Sequence, residues 1–102
     1  MKEIKLLVEH IEDELEDAKT YAELALKYKD SNPEMAQLFY KLSGEELTHQ
    51  AMLHNQVVEM IAERKRMGHE PPAAMAAVYD FMHKRFIEEH ERIINLQNMF
   101  RK

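Results

Sequence analysis

The sequence predicts an all-α protein: a long antiparallel helical hairpin followed by a third long helix. Three observations predict it. Turn-forming residues are scarce, 2 Gly and 3 Pro in 102 residues, and all but Gly44 fall at two breaks. Between the breaks, apolar residues recur with a helical period, not the alternation of a half-buried strand. A hydrophobic fraction of 45% is enough for a core, and 32% charged residues solvate the outside, so a disordered chain is not expected.

The first break is Asp30-Ser31-Asn32-Pro33, where Asn32 can cap a helix and Pro33 suits its first position. The second is Gly68-His69-Glu70-Pro71-Pro72. Gly68 fits just past a helix end, and Arg64, Lys65 and Arg66 sit where the helix dipole favours cations. The helices are therefore placed at about 2–29, 33–66 and 72–101. Long helices with short connections read as an antiparallel bundle. No linker, repeat or low-complexity tract interrupts 1–102, which reads as a single domain.

Composition excludes several classes. With no Cys there is no disulfide scaffold, thiolate zinc site or cysteine nucleophile. Two glycines leave no phosphate-cradling loop. A formal charge of -5 argues against nucleic acid and anionic membranes as partners. No apolar run approaches the ~18 residues of a spanning helix. The opening MKEIKLLVEH becomes charged too soon for a signal peptide, so a cytoplasmic protein is expected.

The seven-residue stripes carry the functional signal. Helix 1 reads Ile4, Leu7, Ile11, Glu14, Ala18, Tyr21, Ala25, Tyr28. Helix 2 reads Phe39, Leu42, Glu46, His49, Leu53, Gln56, Met60. Helix 3 reads Met75, Tyr79, Met82, Phe86, Glu89, Ile93, Leu96, Phe100. Each stripe is apolar at its ends and polar in its middle. Antiparallel neighbours meet at equal distances from their shared turn. With the first turn centred near residue 31, Glu14 lies 17 residues before it, and Glu46 and His49 lie 15 and 18 after. With the second centred near 69, His49 lies 20 before and Glu89 lies 20 after. At about 1.5 Å per residue these groups converge on one level of the bundle.

Carboxylates gathered in a low dielectric repel, and one must protonate unless a cation intervenes. No Lys or Arg occupies the stripe at this level. A divalent metal would resolve the conflict, and carboxylate oxygen with imidazole nitrogen suits iron, manganese or zinc. Glu46 and His49 stand at i and i+3, on one side of their helix.

Glu46-Leu47-Thr48-His49 on one long helix, with Glu14 midway along the preceding antiparallel helix, resembles the ferritin-like carboxylate di-iron proteins. That group includes ferritins, rubrerythrins and the short encapsulated ferritins. The resemblance covers helices 1 and 2. It implies metal ligation by Glu14, Glu46 and His49, and a metal-proximal, catalytic place for Tyr21, seven residues after Glu14. Glu16, 30 residues before Glu46, competes with Glu14 but lies off the stripe. Helix 3 departs from the pattern. It has His83, Glu88, Glu89, His90 and Glu91 but no Glu-x-x-His, and Glu89 is its candidate ligand.

One chain thus supplies half of the family's ligand set. The resemblance implies a homo-oligomer, dimer or higher, in which two chains share the site and complete a ferritin-like bundle. It further implies an iron-binding protein with a di-iron ferroxidase centre. Such a centre oxidises Fe(II) with O2 or peroxide, for storage or detoxification. A chain this short does not enclose a mineral alone, so storage would need a cage of subunits or another compartment. The competing reading is a non-catalytic assembly or adaptor bundle. In it, the same residues form a register-setting polar layer or hold a structural metal such as Mn or Zn. His10, His54 and His69 read as surface residues, and His83 and His90 as flank residues of helix 3.

Overall fold

A computed structural model describes residues 2–102. It is built from α1 (Lys2–Tyr28), α2 (Pro33–Arg66) and α3 (Ala73–Arg101), and no strand occurs among the described residues. The all-α expectation therefore holds. The three helices form a rod of 56 × 17 × 17 Å.

Local chemistry sets the helix ends. The Asn32 side chain accepts a hydrogen bond from the Met35 amide at 3.3 Å, and Pro33 occupies the first turn, where its missing N–H leaves nothing unpaired. At the other end of α2, Gly68 has φ +79°. There the His69 amide donates to the Arg64 carbonyl at 2.8 Å and the Gly68 amide to that of Lys65 at 3.1 Å. This paired 6→1 and 5→2 closure needs a left-handed residue, and glycine reaches it without a Cβ clash.

α1 and α2 pack most closely, and α3 lies along the pair on one side, its backbone nearer α1 than α2. The core holds Ile4, Val8, Ile11, Leu15 and Ala18 of α1, Leu47 and Val57 of α2, and Phe86 and Ile93 of α3. Ile4, Ile11 and Ile93 are fully buried. Burying each such side chain contributes about 1.5–3 kcal/mol. One buried polar chain ties all three helices. Ser43 Oγ donates to the Ala18 carbonyl at 2.7 Å, and Gln97 Nε2 donates to Ser43 Oγ at 2.8 Å.

The structure corrects the phase of two stripes. In α1 the row Ile4, Ile11, Ala18, Ala25 is buried as expected, but its companion row is Val8, Leu15, Ala22. Leu7, Glu14, Tyr21 and Tyr28 are only half-buried. In α2 the buried row is Ala36, Ser43, Leu47, Gln50, Val57. There Phe39, Leu42, Glu46, Leu53 and Met60 are half-buried, and His49 and Gln56 are exposed. The reason is that α3 covers the Val8–Leu15 side. A hairpin with apolar rows on two adjoining sides cannot bury both against one helix. The expected seam is thus an open face of the hairpin, turned away from α3.

Candidate metal centre

Glu14 projects from the middle of α1 on this open face. Glu46 and His49 project from the middle of α2. The short turn at Lys29–Ser31 brings these levels together, so Glu14 and Glu46 lie equally far from residue 30. One ligand atom from each of Glu14, Glu46 and His49 lies within 4.8 Å of the others. His49 Nδ1 is 3.5 Å from Glu14 Oε2 and 3.9 Å from Glu46 Oε2.

The electrostatics are unfinished. Glu14 Oε2 is buried and has no hydrogen-bond partner. The His49 nitrogen is close enough to attract it but makes no hydrogen bond with it. A buried carboxylate oxygen without a partner costs free energy, and a second carboxylate nearby adds repulsion. A cation between the three donors offsets both costs, so the residues fit a metal ion. Two hard oxygens with one imidazole suit iron, manganese or zinc. The side chains of Glu14, Glu46 and His49 are 24%, 19% and 54% exposed. One chain therefore covers the group from one side only.

The remaining candidates fall in different places. The half-buried Tyr21 ring stacks on Phe39, centroids 6.0 Å apart. It lies on the same side of α1 as Glu14, two turns nearer the connection. Glu89 is not part of the three-residue group. It pairs with Arg92 and lies beside Glu12, Glu16 and Arg85 on the other side of α1. The level expected for Glu89 is right, but α3 packs on the far side of the hairpin, so its carboxylate faces away from the other three. Glu16 is exposed and lines the same groove as Glu89.

Two arrangements were not anticipated. His90 Nδ1 meets Gln50 Oε1 at 3.1 Å, and His54 Nε2 meets His83 Nδ1 at 2.9 Å. The turn arithmetic contains the second: His54 is 15 residues before position 69 and His83 is 14 after. Neither histidine interrupts an expected stripe, so nothing in the stripe pattern marked them.

No helix among the described residues is long and apolar enough to cross a membrane. No curated protein and no solved structure shows significant similarity to the chain. The model of the rubrerythrin family matches residues 5–100, including all of α2 and nearly all of α1 and α3. Glu14, Glu46, His49 and the helices that position them all lie within that match, and the chain belongs to the rubrerythrin family.

Proposed function

We propose that this protein is a cytoplasmic ferroxidase-type iron protein whose di-iron centre is shared by two copies of the chain. The observation that carries the reading is the buried Glu14 Oε2, which has no hydrogen-bond partner, beside Glu46 and His49. Membership of the rubrerythrin family favours iron over other hard cations. Two copies facing each other across the open side of the hairpin would bring four carboxylates and two imidazoles together.

Each residue has a definable task. Glu14 and Glu46 supply negative charge and hard oxygen donors, which favour the ferric over the ferrous state. His49 contributes a neutral nitrogen donor and limits the net charge. Iron held in pairs supplies two electrons together, matching the reduction of peroxide to water. Tyr21 is held by its stack on Phe39, and on this reading its hydroxyl would hold or pass a proton for the centre. Leu7, Leu42, Leu53 and Met60, half-buried along the same face, exclude water once a second copy covers them. Leu38 and Met52, 54% and 65% exposed, adjoin that side of α2 by helical phase and extend the apolar area.

The test is elemental analysis of protein purified without chelator, followed by aerobic Fe²⁺ oxidation by wild type and Glu46→Ala. Iron in the wild type and oxidation well above the buffer rate, both lost in Glu46→Ala, are expected. Bound zinc or manganese without oxidation would instead identify a structural metal. Absence of both metal and oxidation would leave a polar layer and refute the reading.

A further inference from the structure

α2 and α3 meet differently from the other helix pairs. Their backbones stay apart, and side chains span the gap as a series of polar rungs. Ser43 meets Gln97, Gln50 meets His90, and His54 meets His83. Positions 97, 90 and 83 on α3 are seven apart, so the rungs rise along one side of that helix. The first rung is buried amide and hydroxyl. The third consists of two imidazoles at the more open end.

That third rung has the geometry of a ligand pair. His54 Nε2 and His83 Nδ1 are 2.9 Å apart, and the rings lie 4.8 Å between centroids and 22° from parallel. Two nitrogens each about 2.0–2.1 Å from one ion stand about 2.9 Å apart at a right angle and about 3.3 Å apart at the tetrahedral angle. The observed separation lies at the lower end of that range. As a hydrogen bond, the pair shares one proton between the two ring nitrogens. A nitrogen-seeking cation can take the place of that proton. His83 is exposed, and both rings line a cavity of about 240 Å³ with room for an ion's water ligands.

We propose that His54 and His83 form a second metal site, distinct from the carboxylate centre. It takes a late first-row divalent cation that prefers nitrogen donors, such as Zn²⁺, Ni²⁺ or Cu²⁺, and it clamps α3 to α2. The donor set separates the two sites. Imidazole pairs favour the late metals, whereas an oxygen-rich site holds iron or manganese. Position separates them too. His49 and His54 are five residues apart, which is about 140° around the helix, so they project from different sides of α2. Burial and, secondarily, the charge of His83 lower the pKa of His54 from 6.5, so the ring is held neutral and ready to ligate near pH 7.

The experiment is a calorimetric Zn²⁺ titration of Glu14→Ala/Glu46→Ala, which removes the carboxylates of the first centre. One Zn²⁺ per chain is expected. Adding His83→Ala should weaken that binding at least tenfold, and adding His10→Ala should leave it unchanged. Zn²⁺ should raise the Tm of the double variant but not of the one lacking His83. The exposure of His83 predicts a metal-free Tm within a few degrees of the parent. If the double variant does not fold, the same titration of wild type against His83→Ala should show one Zn²⁺ per chain fewer. Zinc binding that is absent, or indifferent to His83→Ala, would overturn the proposal.

Discussion

The two faces of the α1–α2 hairpin are built from interleaved rows of the same helices, yet they differ in how far one chain completes them. The face toward α3 is covered by that helix, apart from the cavity lined by His54 and His83. Ile4, Ile11, Leu15, Leu47 and Ile93 pack beneath it, and Ser43 bonds to the Ala18 carbonyl and the Gln97 amide within it. The opposite face is half-covered, and its central carboxylate oxygen has no hydrogen-bond partner. The first face therefore answers mainly to stability, and the second is the one the proposed function uses.

Mutations should separate the faces by size and kind of effect. The largest loss is expected on the closed face. Ile11→Ala or Ile93→Ala should cost about 2–5 kcal/mol in urea-unfolding free energy, because each leaves a cavity among rigid neighbours. Next is Ser43→Ala, which leaves the buried Gln97 amide without its hydroxyl partner and removes the Ser43 bond to the Ala18 carbonyl. A loss of about 1–3 kcal/mol is expected in the same assay. A cost as large from Glu14→Gln would break the contrast. That substitution removes the buried charge while keeping the shape, so metal-free stability should change by less than about 1 kcal/mol or rise. The gain in Tm on adding Fe²⁺ should disappear with it.

Smaller effects sharpen the picture. Tyr21→Phe keeps the stack on Phe39, so stability should stay within about 0.5 kcal/mol. The rate of Fe²⁺ oxidation should fall without a change in iron bound per chain. The smallest effect concerns pH. Burial and His83 lower the pKa of His54, so the unfolded chain binds a proton that the folded chain resists. Stability from this source is complete above about pH 6.5 and declines as pH falls below it. Thermal melts across pH 5–8 should show a shallower acid decline in His54→Asn.

Heights along the bundle were legible in the sequence; angles around it were not. Counting from the breaks placed Glu14, Glu46, His49 and Glu89 at one level, since helix rise is constant and the connections are short. The same counting could not say on which side of the hairpin α3 would lie. Leu7 and Val8 each continue an apolar row with Ile4 and Ile11, so the periodicity of α1 admits either side as the core. Packing against α3 settled it in favour of Val8 and Leu15, which left Glu14 on the open side and turned Glu89 toward Arg92. The Glu-x-x-His spacing survived this choice because i and i+3 residues share a side whichever way the helix is turned. The His54–His83 contact was legible only by counting across the second break, because it depends on two helices rather than one pattern.

The central claim is that two chains meet across the open face to hold the metal. Sedimentation velocity under anaerobic conditions, with and without Fe²⁺, tests it most directly. The Fe²⁺-loaded wild type should sediment at twice the 12.1 kDa chain mass or a higher multiple, with two iron ions per pair. Glu14→Ala/Glu46→Ala should show no Fe²⁺-dependent assembly. Tightly bound iron on a species that stays at 12.1 kDa would contradict the account.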